Sequence, residues 1–163
     1  MRLFITLFVS LLSTILLVHA CPPEDELTAP IAKSLGDKFK QVCDLGIKPG
    51  GTADIKWLRT NILPYYLSKK WLTKDPPKGW QSEIDKIIKK CHKDTYNYCL
   101  DGDRSKAGDC LKGMAGSLML KYGATLMSYC PVLDKAAEDW STKHDPKATF
   151  WISEYCKTKG KIC

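Results

Sequence analysis

Three groups of residues in this chain have side chains suited to chemistry. The first is Cys91-His92-Lys93-Asp94, where an imidazole and a nearby carboxylate are the parts of a general base with its orienting partner. On a helix, positions two apart diverge by about 200°, so this pair is expected to point apart, leaving His92 exposed at a polar helix end. The second runs from Asp101 through Asp103 and Ser105 to Asp109, with oxygens at the first, third, fifth and ninth positions of a calcium loop. Lys106 stands where that loop needs glycine and Lys112 where it needs a bidentate glutamate. A hydrophilic turn with Asp caps is expected instead. The third group is the serines, none of which lies in a nucleophile elbow or beside a His-Asp pair. No catalytic residue and no cofactor are therefore expected. His92 and His144 are the only histidines beyond the N-terminal segment, and no Cys-x-x-Cys occurs, so no metal site is expected either.

The Cys-His-Lys-Asp segment resembles the disulfide-flanked His and Asp of secreted phospholipases A2. It departs from them in the intervening Lys93, the single Cys91 and the lack of a glycine-rich loop upstream. That resemblance carries no activity over to this chain.

Compartment is more legible than chemistry. Residues Met1–Ala20 open with Arg2 and continue as an almost wholly apolar run, ending in small Ala20 before Cys21: a secretory signal peptide. The apolar run is short for a membrane span, so no transmembrane segment is expected in the mature chain. All eight cysteines lie beyond it: Cys21, Cys43, Cys91, Cys99, Cys110, Cys130, Cys156 and Cys163. An even count in a secreted chain predicts four disulfides. Spacing does not choose the pairing, although the short interval from Cys156 to Cys163 can turn back on itself.

The full chain carries 25 basic and 18 acidic side chains, a net charge of +7, and losing Arg2 lowers it by one. Lysines are spread throughout, among them Lys38, Lys40, Lys69, Lys70, Lys86, Lys89, Lys90, Lys93, Lys157, Lys159 and Lys161. Such a surface suits acidic cell surfaces, glycans or acidic proteins. Nucleic acid is disfavoured as a partner by the extracellular compartment and by having only Arg59 and Arg104 in the mature chain. No Asn-x-Ser/Thr signal occurs, and the Lys69-Lys70 and Lys89-Lys90 pairs sit within helical patterns rather than open processing loops.

The elements that must position these residues read as helices divided by breakers. Thr28 and Pro30 open the first, with Ile31, Leu35, Phe39 and Val42 on one face, and Pro49-Gly50-Gly51 ends it. Thr52 is the expected cap of a second helix, which Pro64 must kink or break and which Tyr65, Tyr66, Leu67, Trp71 and Leu72 continue as an aromatic arm. After Asp75-Pro76-Pro77-Lys78-Gly79, a third helix is marked by Trp80, Ile84, Ile87, Ile88, Cys91 and Tyr98. Pro131 and Asp145-Pro146 begin two more, the last with Phe150, Trp151 and Tyr155.

Between Cys110 and Cys130 lies the most apolar stretch outside the N-terminus. Leu111, Met114, Leu118, Tyr122, Leu126 and Tyr129 form the stripe of a core-facing helix. Gly113, Gly116 and Gly123 share a neighbouring face. Glycine costs a helix up to ~1 kcal/mol against alanine, so a close approach is expected there, by another helix or by a ligand.

These readings give one all-α domain over residues 21–163, of five to seven disulfide-stapled helices. They point to a secreted, non-enzymatic binding protein of effector, toxin or signalling type, acting on an extracellular protein or an acidic surface. The alternative is a carrier of a small hydrophobic ligand, its pocket built from Trp57, Tyr65, Tyr66, Gly116, Met119 and Gly123. In class, a secreted, disulfide-stapled helical chain of this size is broadly similar to arthropod odorant-binding proteins and their salivary relatives. Its long interval from Cys43 to Cys91 differs from the short cysteine intervals of those families.

Overall fold

The computed structural model describes residues 25–66, 68, 75, 76 and 78–163. The N-terminal residues 1–20, expected to be a signal peptide, and Cys21, Leu67, Lys69, Lys70, Trp71 and Leu72 lie outside them. Among the described residues the chain is all-helical, without strands. Its longer helices are α1 (Asp25–Asp44), α2 (Thr52–Asn61), α3 (Trp80–Cys91), α4 (Asp101–Met127), α5 (Cys130–Glu138) and α6 (Asp145–Thr158). A single helical turn, Leu63–Tyr66, follows α2, and a π-helical segment, Trp140–His144, joins α5 to α6.

Local chemistry accounts for most of these boundaries, with corrections to four of those expected. Pro30 lies inside α1 rather than at its start, because the helix already runs from Asp25. Thr52 is the first helical residue, not the cap. Gly51 takes the cap position, and the Asp54 carboxylate reaches back to its N–H at 3.1 Å. The third helix stops at Cys91, where His92 turns to extended backbone, so Tyr98 is a buried loop residue. The fourth begins at Asp101, well before Cys110. Asp101 and Asp103 sit in its first turn, where carboxylates suit the positive end of a helix. Pro64 breaks the second helix as expected, with Ile62 at its C-cap.

Helices α3 and α4 form an antiparallel pair at the centre. Cys91–Cys110 joins one end, with Cα atoms 5.5 Å apart, and Trp80 meets Tyr122 edge-on at 5.7 Å near the other. Ile84 and Ile87 of α3 and Leu111, Ala115, Leu118 and Leu126 of α4 are buried in one cluster with Leu58, Ile62 and Tyr66. This is the apolar stripe expected of the Cys110 stretch. A smaller cluster of Val42, Ile47, Ile152, Tyr155 and Cys156 fastens α6 to the end of α1.

Two further bridges are described: Cys43–Cys99, spanning 56 residues, and Cys156–Cys163, spanning 7. Cys130 is also disulfide-bonded, and no described cysteine is free.

Candidate functional site

The 45–51 and 92–100 loops meet at one end of the molecule, beside the C-terminus of α3. Cys43–Cys99 ties their flanks together, and Tyr98 N–H donates to the Pro49 carbonyl at 2.8 Å. Gly50 has φ +137°, and a Cβ there would collide with the Tyr96 carbonyl. Only glycine lets the two backbones approach this closely. Arg104 holds the same junction from α4, its guanidinium 3.4 Å from the carbonyls of Tyr98 and Cys99.

This junction displays charge that is not matched locally. Lys48, from the first loop, is exposed, as are Lys89 and Lys90 in the last turn of α3 and Lys93 just beyond it. None of the four pairs with a carboxylate among the described residues. Elsewhere many lysines are neutralised one helical turn away, as in Lys33–Asp37 and Lys40–Asp44, each at 2.5 Å, or Lys143–Asp139 at 2.6 Å. The negative end of the α3 dipole favours lysines at this position without discharging them. Lys48 was missed in the sequence because nothing local links it to residues some forty positions away.

Within the junction, His92 and Asp94 do not point apart. Helix α3 has ended, and in extended backbone His92 Nε2 comes within 3.3 Å of Asp94, while Nδ1 lies 2.8 Å from the Tyr98 hydroxyl. Tyr98 is buried, and burial chiefly, with Tyr96 and Asp103 adding to it, holds its phenol protonated well above the usual range. The imidazole thus bridges a buried phenol to an exposed carboxylate, an arrangement that fixes the loop. The acidic segment from Asp101 to Asp109 is helical, so its oxygens fan out at about 100° per residue and do not converge on a cation. Asp103 accepts from Asn97 N–H at 3.0 Å, and Asp101 pairs with Arg104. No group of three potential metal ligands occurs among the described residues.

The six residues expected to line a pocket divide into two sets. Trp57, Tyr65 and Met119 pack against the main core, and Tyr66 is buried within it. Tyr65 and Tyr66 meet edge-on at 5.2 Å, and Trp57 lies tilted against Tyr155 with ring centroids 5.2 Å apart. Gly116 is not with them. Among the described residues, neither it nor Gly113 has a neighbour beyond its own helix backbone within 4 Å of a notional Cβ, and Gly123 has only Met119 of its own helix. The expected close approach to the glycine face is therefore corrected. The buried stripe of α4 takes up the core contact, which turns the glycines outward beside exposed Leu120 and Met127. One open depression of about 470 Å³ runs along α1, lined by Pro30, Lys33, Ser34, Asp37, Lys38 and Gln41. The depression is shallow and open to solvent, lined chiefly by the apolar stems of polar side chains, unlike the enclosed site expected of a carrier.

A structural hub that sequence did not indicate lies at Asp54. Its carboxylate is buried, accepts from the N–H groups of Gly50 and Gly51 at 3.1 Å each, and pairs with Lys159 at 2.5 Å. Burial pushes this carboxyl up, but hydrogen bonds from Lys159, Gly50, Gly51 and Tyr155 outweigh it and leave it below its ordinary value. Among the described residues no helix is long and apolar enough to cross a membrane. No protein-family model matches the chain, nor does any curated protein or solved structure, so the functional reading rests on its own residues.

Proposed function

We propose that this chain is a secreted, non-enzymatic binding protein that engages an acidic extracellular partner, protein or glycan, through the loop junction carrying Lys48, Lys89, Lys90 and Lys93. The observation that carries the reading is the contrast in charge compensation. Lys33 and Lys40 on α1 and Lys143 just before α6 have carboxylate partners, whereas these four, carried by a disulfide-fastened end of the molecule, have none among the described residues. Positive potential concentrated on one preorganised surface attracts polyanions and raises association rates. Secretion is supported by the N-terminal segment and by the bridges, which persist in oxidising compartments.

Retention on immobilised heparin, eluted with rising salt, tests the reading, because contacts between exposed charges are screened within about 10 Å at 0.1 M salt. The triple variant Lys89→Gln/Lys90→Gln/Lys93→Gln should elute at clearly lower salt than the unaltered chain. The control Lys33→Gln/Lys40→Gln/Lys143→Gln removes the same charge from paired positions and should elute close to it. Equal shifts for the two triples, or no retention even at low salt, would end the proposal of a specific basic end.

A further inference from the structure

The ammonium group of Lys147 has no carboxylate partner among the described residues. It rests instead against three aromatic rings: its Nζ lies 4.7 Å from the ring centroid of Phe150, 4.7 Å from that of Trp151 and 5.4 Å from that of Tyr65. A cation within about 6 Å of a ring face is drawn to the ring quadrupole, and aromatic cages recognise organic ammonium groups in this way. Two of these rings come from the second turn of α6 and the third from the Leu63–Tyr66 turn, so the cage joins segments far apart in sequence.

Each ring is braced by another. Trp151 meets Trp57 edge-on at 6.5 Å, Phe150 contacts Trp151 at 5.0 Å, and Tyr65 contacts Tyr66 at 5.2 Å. The walls therefore do not depend on the lysine for their positions. Phe150 is 46 % exposed, so the cage opens to solvent, and the flexible stem of Lys147 can swing its head into water.

We propose that Tyr65, Phe150 and Trp151 form a binding site for small organic ammonium groups, primary or quaternary, and that Lys147 occupies it in the free protein as a tethered competitor. The site is separate from the basic junction and takes ligands of the opposite charge. An intramolecular competitor lowers apparent affinity without changing the walls, so removing it unmasks the site. A lysine that merely clips α6 to the Leu63–Tyr66 turn would instead weaken the fold when removed and create no binder.

The test is calorimetric titration of the disulfide-bonded chain with tetramethylammonium chloride, against sodium chloride at equal ionic strength. Lys147→Ala should bind about tenfold more tightly than the unaltered chain, the scale of a desolvated cation–π contact. The double variant Lys147→Ala/Phe150→Ala should lose that gain. A second measurement uses the unaltered chain, so it does not depend on a variant folding. Tetramethylammonium should speed acylation of the Lys147 amine, read by peptide mass spectrometry, and leave Lys143 unaffected. Equal affinities for Lys147→Ala and the unaltered chain, a gain that survives loss of Phe150, or Lys147 acylation indifferent to tetramethylammonium would each overturn the proposal.

Discussion

Glycine plays opposite parts in two regions of this molecule. At the junction of the 45–51 and 92–100 loops, Gly50 adopts a conformation that side chains resist and fits where a Cβ would meet the Tyr96 backbone. On the outer face of α4, Gly113 and Gly116 have regular helical neighbours and open space around them. The first region is closed by a disulfide, a backbone hydrogen bond and a buried carboxylate. The second presents Leu120, 92 % exposed, to solvent. Residue type alone does not show which glycine is indispensable; what stands beyond the missing side chain does.

That contrast breaks most forcefully at the bridges. Loop-closure entropy grows with the interval closed, so Cys43→Ser/Cys99→Ser should cost about 4 kcal/mol and Cys156→Ser/Cys163→Ser about 2 kcal/mol. Denaturant unfolding of the two variants measures both, and a tail bridge worth more than the junction bridge would contradict this ordering. Alkylation before and after reduction should find no free thiol in the native chain, whose eight cysteines divide evenly.

Asp54 comes next. Asp54→Ala leaves two amide N–H groups without their acceptor and parts exposed Lys159 from its carboxylate, and should cost about 2 kcal/mol, chiefly from the unsatisfied amides. Its pH dependence follows from the direction of the shift. Because the folded value is lowered, the carboxylate stabilises the fold above its unfolded value, and that contribution disappears as pH falls through the folded one. Glu83 behaves alike: hydrogen bonds from Lys121 and Lys86 hold it at about 2 against an ordinary 4.5, so its contribution fades between those values. Stability curves against pH should therefore converge in acid for Asp54→Ala and the unaltered chain. A constant difference down to pH 2 would mean that Asp54 acts by packing rather than by charge.

The two glycine regions respond with opposite signs. Gly50→Ala should destabilise by roughly 3 kcal/mol or more, as a clash with the Tyr96 backbone is added to backbone strain. Gly116→Ala should stabilise by up to ~1 kcal/mol, since alanine suits a helix better and nothing obstructs it. Thermal unfolding of the pair sharpens the comparison. A destabilising Gly116→Ala would restore a close approach to the α4 face.

Much of the fold was legible because it is local. Periodicity marked the buried faces of α3 and α4, Pro64 stopped α2, and the short Cys156–Cys163 interval suggested its own bridge. These depend on residues within a turn or two of one another, where backbone geometry leaves few choices. Where extended backbone begins was less legible: α3 ends at Cys91, and that single boundary turns His92 and Asp94 from diverging into touching. The pairing of Cys43 with Cys99, the meeting of the 45–51 and 92–100 loops, and the gathering of Tyr65 with Phe150 and Trp151 around an ammonium were decided by the tertiary structure alone. They depend on distances between segments far apart in the chain, set by how the helices pack together rather than by any one helix.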